Sequence, residues 1–123
     1  MKNKMIGFIG CGNMGKAMLA SLISIGEIRK ENIIVSAKTE ASKEVIEKEF
    51  AVKATNDNKE VAAKANIIFL AVKPHFFKEV ISEIKDVVSK DSIIVSFAAG
   101  ITIEQIDEYF GFAVKVIRSM PNT

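Results

Sequence analysis

Residues 4–17 read K-M-I-G-F-I-G-C-G-N-M-G-K-A. Met5, Ile6, Phe8 and Ile9 make a short apolar run that passes directly into Gly10-Cys11-Gly12-Asn13-Met14-Gly15, and a helical pattern follows. A buried strand, a glycine turn and a helix in that order constrain the fold more than any other stretch of the chain, because they are the first half of a βα unit. Gly10 permits the tight turn. Gly12 lets backbone approach a pyrophosphate, and Gly15 lets the helix lie close on the strand. The free N–H groups and the dipole at the helix start favour phosphate charge. A glycine-rich turn without a ligand is the competing reading of an isolated G-x-G-x-x-G. The flanking strand and helix favour dinucleotide binding over it.

The rest of the chain repeats this alternation. Ala17, Met18, Leu19, Leu22 and Ile23 recur at helical spacing and Gly26 supplies a glycine stop, which predicts a helix of about three turns. Ile33-Ile34-Val35 is a β-branched run that predicts a buried strand ending at Ser36-Ala37-Lys38-Thr39. Residues 42–50 predict a second helix with Val45, Ile46 and Phe50 inward, and residues 51–54 a short, weak strand. Asn56-Asp57-Asn58 predicts a turn or cap before a short helix at residues 59–64. Residues 65–72 hold the most continuous apolar run, I-I-F-L-A-V, which predicts a central strand covered on both faces. Pro74 is expected to end it and to open the next helix at its first position, with Phe77, Val80, Ile81, Ile84 and Val88 as the apolar stripe. Residues 92–97 predict a further strand, followed by the small residues Ala98-Ala99-Gly100. Thr102 and Gln105 have capping-box spacing before a short helix ending near Phe110-Gly111. Residues 113–117 predict a last strand, followed by Arg118-Ser119-Met120-Pro121-Asn122-Thr123. Six alternations of strand and helix predict an α/β, doubly wound, parallel Rossmann sheet of six strands in a single domain. Its ligand crevice is expected where the strand order reverses.

Composition narrows the function classes. The 123 residues are 49% hydrophobic and 26% charged, ordinary for a globular domain with a sizeable core. A net charge of +2, with no long Lys/Arg run, argues against a nucleic-acid or anionic-membrane partner. The single cysteine, Cys11, and the single histidine, His75, leave no disulfide and no metal cluster to be built from these residue types. No apolar run approaches membrane-spanning length, and the N-terminus has no signal-peptide pattern, so a cytoplasmic location is expected.

The second strand bears on the cofactor. An NAD-preferring site usually places Asp or Glu there, accepting from the ribose hydroxyls. Here the position reads Ser36-Ala37-Lys38-Thr39, with no acid before Glu40 at the expected helix start. Hydroxyls and a lysine suit a 2′-phosphate that a carboxylate would repel. NADPH is therefore expected, with NADH possible. The alternative for Lys38 is a solvated surface lysine, and the missing acid carries more weight than the lysine itself.

Four motifs stand in order: residues 7–15 (G-F-I-G-C-G-N-M-G), residues 71–75 (A-V-K-P-H), residues 98–103 (A-A-G-I-T-I) and residues 118–123 (R-S-M-P-N-T). Together they closely resemble the N-terminal domain of pyrroline-5-carboxylate reductases, over the whole chain. That family reduces a cyclic imine, 1-pyrroline-5-carboxylate, to L-proline in the last step of proline biosynthesis, usually with NADPH. The resemblance implies that Cys11, Asn13 and Met14, with the glycines, lie along the pyrophosphate and nicotinamide side of the turn. It implies that Ser36, Ala37 and Lys38 surround the adenosine ribose and its 2′-phosphate, and that Asn58 reaches the adenosine half. Ala71, Val72 and Lys73 would follow the end of the central strand, and Ala99 and Gly100 would approach the nicotinamide, where bulk would block the ring.

Alternatives remain for single residues. Cys11 is read as a small turn residue in preference to a reactive thiol. A strand-end surface lysine competes with a functional Lys73, and His75 is not assigned as an acid or base. No catalytic residue is named, since hydride transfer needs no nucleophile–base pair. The resemblance also implies a helical domain beyond Thr123 that builds a homo-oligomer and supplies much of the substrate pocket. Competing functions are a β-hydroxyacid dehydrogenase, an F420-dependent NADP reductase, and a reductase-like regulatory protein that binds nucleotide without turnover.

Overall fold

The apolar run ahead of the glycine turn forms β1 (Ile6–Ile9), every residue of it buried. The structure, a computed structural model, describes residues 4–10, 12–26, 28–96 and 100–118, with Asn13 and Met14 described by their backbone alone. Behind β1 comes α1 (Asn13–Ile25). It stops at Gly26, whose φ of 78° lies in the left-handed region and whose N–H donates to the Ile23 carbonyl. A 3-10 turn (Lys30–Asn32) leads into β2 (Ile33–Ser36), again wholly buried.

Next, α2 (Glu40–Phe50) begins two residues before the sequence pattern predicts, because the Thr39 hydroxyl caps it by accepting from the Ser42 N–H. Ile46 and Phe50 face the core, whereas Val45, expected inward, is 47% exposed. Ile46 and Phe50 are one helical turn apart and share a stripe; Val45 lies about 100° around the helix from Ile46. Ala51 then adopts a left-handed conformation (φ 55°) that closes α2, so β3 (Lys53–Thr55) starts later than expected.

The short α3 (Asn58–Lys64) is capped by the Asp57 carboxylate, which accepts from the Lys59 N–H. On it, Glu60 accepts from Lys64 Nζ at 2.9 Å and from Lys53 Nζ on β3 at 3.1 Å. Lys64 first, then Thr55 and Lys53, hold the Glu60 carboxyl down at about 2.

β4 (Ile67–Leu70) is shorter than the apolar run around it. Pro74 opens a 3-10 turn (Pro74–Phe76), and α4 (Phe77–Ile84) starts only after that. Val88 therefore lies beyond α4, where its N–H still donates to the Ile84 carbonyl. β5 (Ile93–Ser96) leads to α5 (Ile103–Phe110), which carries the predicted Thr102/Gln105 capping box and ends on Gly111, and then to β6 (Lys115–Arg118). Among the described residues no helix is long and apolar enough to cross a membrane.

The described strands form one parallel sheet in the order β3-β2-β1-β4-β5-β6, as a doubly wound α/β fold requires. The order reverses between β1 and β4. Leu19 of α1 with Ile46 and Phe50 of α2 packs on one face, against Ile6, Phe8, Ile33 and Val35. Side chains of α3, α4 and α5 cover the other, against Ile34, Ile68 and Ile94. The first face thins out across β4, where Ile67 and Phe69 are only half-buried, so the central strand is not fully covered on both sides.

Candidate functional site

The site is built where β1, β2 and β4 end side by side. Gly10, at the end of β1, has φ 78°, which favours glycine. A Cβ there would stand 2.6 Å from Val72 Cγ1 and 3.2 Å from the Ala71 carbonyl oxygen. The turn and the segment after β4 therefore close on each other with no room for a side chain, and the Ala71 N–H donates to the Ile9 carbonyl at 2.9 Å. Gly12 is the opposite case: it is exposed, and a Cβ added to it would meet nothing within 4 Å. Its backbone faces open space at the start of α1, the geometry by which a helix N-terminus receives phosphate.

On the other side of β1, the buried Ser36 hydroxyl accepts from the Gly10 N–H at 3.1 Å. That bond ties the glycine turn to the end of β2. The Ala37 N–H donates to the Thr55 carbonyl at 2.8 Å, and Asn56 Nδ2 donates to the Ala37 carbonyl at 2.9 Å. The backbone after β2 is thus held from β3, leaving Lys38 exposed at the rim with its ammonium 4.3 Å from the centre of the Phe76 ring.

These strand ends line one cleft of about 630 Å³, within the usual size of a small-molecule or cofactor site. The cleft brings together Gly10, Gly12, Ser36, Ala37, Lys38, Asn58, Ala71, Val72 and Lys73 from the sequence-derived set. Gly15 is buried within the first turn of α1. Gly100 is exposed and outside the cleft lining, with open space where a Cβ would stand. Cys11, Ala99 and residues 119–123 lie outside the described residues, as do the side chains of Asn13 and Met14. Sequence reasoning did not select Asn56, Phe76, Glu79 or Glu83, which also line the cleft. Asn56 was legible only as part of a polar turn or cap, and the ring and the two carboxylates look in sequence like the apolar and solvated sides of a helix start. Asn58 Nδ2 and Glu83 Oε2 stand 3.5 Å apart across that wall.

Residues 5–100 match the family model described as NADP oxidoreductase, coenzyme F420-dependent. The chain is 45% identical over 120 residues to the pyrroline-5-carboxylate reductase of Escherichia coli (strain K12), covering 98% of this chain and 45% of that protein. Among solved structures it is similar to a pyrroline-5-carboxylate reductase from Coxiella burnetii, with a TM-score of 0.92 and 34% identity over 99% of this chain and 45% of that one. It is also similar to Plasmodium falciparum pyrroline carboxylate reductase with NADP bound, with a TM-score of 0.86 and 30% identity over 99% of this chain and 44% of that one. The chain spans less than half the length of these relatives.

Proposed function

This chain belongs to the NADP oxidoreductase (coenzyme F420-dependent) family and corresponds to the N-terminal nucleotide-binding region of pyrroline-5-carboxylate reductases; on that premise we propose that it binds NADPH and supplies the cofactor half of an enzyme that reduces 1-pyrroline-5-carboxylate to L-proline. The observation that carries the reading is the pairing of Gly10 and Gly12. One closes the turn against Val72, and the other leaves open backbone at a helix start, so a pyrophosphate fits where a side chain would stand.

In this reading the backbone from Gly10 to Gly15 receives the pyrophosphate. Lys38 meets the 2′-phosphate, with Ser36 holding the turn in place. Ala71, Val72 and Lys73 carry the cofactor along the end of β4, and Asn58 lies toward the adenosine. The bound nicotinamide supplies the hydride for the imine carbon. The protein's part is to orient the two and to exclude water.

More than half of each relative lies outside the matched region. We therefore place most of the substrate pocket, and the contacts of a homo-oligomer, outside these 123 residues, with the reaction in the cytoplasm. Residues 1–123 alone then bind cofactor weakly and turn over poorly. Robust proline formation by them alone overturns that division.

The test is titration with NADPH and NADH, followed by assay of a protein carrying the reductase's remaining domain with pyrroline-5-carboxylate. Tighter NADPH binding and imine reduction are expected; equal or tighter NADH binding removes the role given to residues 36–39. The family description favours one second reading, a reductase that exchanges hydride between NADP and a deazaflavin. NADPH-dependent deazaflavin reduction without imine reduction selects it.

A further inference from the structure

Phe76 stands opposite Lys38 across the end of β1. Lys38 follows β2, Phe76 follows β4, and β1 lies between those strands. The ammonium sits 4.3 Å from the ring centroid, so the two residues bridge the mouth of the cleft by a cation–π contact. The ring is held in place: Phe76 packs against the core cluster beneath α4, and the His75 ring lies tilted 40° against it at 4.2 Å. On the same wall, Glu79 and Glu83 make the ground beside Phe76 unfavourable for a phosphate and compatible with a neutral base bearing an amino group. The cleft lining therefore carries Lys38 and Lys73 just beyond the ends of β2 and β4, and the two carboxylates on α4.

We infer that Phe76 is the stacking platform for the adenine of the dinucleotide, on the ring face that Lys38 covers, and that adenine binding displaces Lys38 toward the 2′-phosphate. The inference rests on the dinucleotide reading above and adds a residue to it. Its consequence is a common cost. Every adenine dinucleotide lifts Lys38 off the ring, but only NADPH offers the displaced ammonium a phosphate, and a charge-assisted contact to phosphate is stronger than an exposed cation–π contact. Lys38 then discriminates twice, by attracting NADPH and by obstructing NADH.

Titration of the protein with NADPH and NADH separates these effects. Phe76→Leu keeps apolar bulk against the core and removes the aromatic face. It should weaken both cofactors by roughly tenfold, leaving their ratio unchanged, at an unchanged unfolding temperature. Lys38→Ala should weaken NADPH yet tighten NADH by about two- to fivefold, as the obstruction is lifted. Unchanged affinities in Phe76→Leu, or a loss confined to one cofactor, overturn the platform. Unchanged or weaker NADH binding in Lys38→Ala overturns the displacement. If the unsubstituted protein binds neither dinucleotide, the parent reading fails and this one with it; if it binds NADPH while Phe76→Leu is inert, only the platform is lost.

Discussion

The two halves of the sheet are built from similar residues and end in different surroundings. One in-register row runs Ala54, Val35, Phe8, Phe69, Val95, Ile117 from β3 to β6. Its first three members are at most 5% exposed, Phe69 and Val95 are half-buried, and Ile117 is 53% exposed. The row on the opposite face contains Ile34, Ile68 and Ile94, all fully buried beneath α3, α4 and α5. The difference lies in where the helices fall: α1 and α2 cover the β1–β3 half of their face, and cover declines toward β6. The candidate cleft sits at the seam between β1 and β4, where the strand order reverses and the covered half supplies the floor. Rigidity there matters, because the turn at Gly10 must hold a left-handed conformation against Val72.

Substitutions along the row sharpen or break this contrast. Phe8→Ala should cost the most, about 3–5 kcal/mol in urea unfolding, and Phe69→Ala on the thinner side roughly 1–2 kcal/mol. Equal costs would mean that the two halves are equally packed. At the seam, Gly10→Ala adds a Cβ at positive φ within 2.6 Å of Val72. It should destabilise by about 1–3 kcal/mol and weaken NADPH by roughly tenfold or more. Unchanged binding would detach the glycine turn from the cleft.

Glu60 concerns the covered half, where it ties α3 to β3. Its folded-state pKa is depressed from 4.5 to about 2. Its contribution is therefore complete above about pH 4.5 and is lost as pH falls through about 2. Because Lys53, Lys64 and Glu60 itself are solvent-exposed in part, Glu60→Gln should cost less than about 1 kcal/mol at neutral pH and flatten stability below pH 4.5. The smallest effect belongs to Ile117→Ser, within about 0.5 kcal/mol by the same unfolding measurement. A larger loss there would show that β6 is packed more firmly than its exposure indicates.

Local signals were legible in the sequence because their physics is local. The Gly10–Gly15 turn, the Gly26 stop and the Thr102/Gln105 box each act within a few residues, and short apolar runs mark the strands β1, β2, β4 and β5. Val45 was misread because two adjacent apolar residues do not say which one faces the sheet. The late start of β3 depends on Ala51 adopting a left-handed conformation that nothing in its residue type announces. In the cleft, the glycine turn and the ends of β2 and β4 could be placed from topology, since ligands bind where the strand order reverses. The contact of Lys38 with Phe76, and the hold of Asn56 on Ala37, join segments far apart in the chain. They exist only once β1 has been set between β2 and β4.

The central claim is that the strand ends flanking β1 form the floor of an NADPH site. Amide hydrogen exchange with and without saturating NADPH tests it directly. Slowed exchange is predicted at Gly12, in residues 36–38 and in residues 71–73, with β6 unchanged. Bound NADPH that protects β6 or the opposite ends of the strands, and leaves those three segments unaltered, would contradict it.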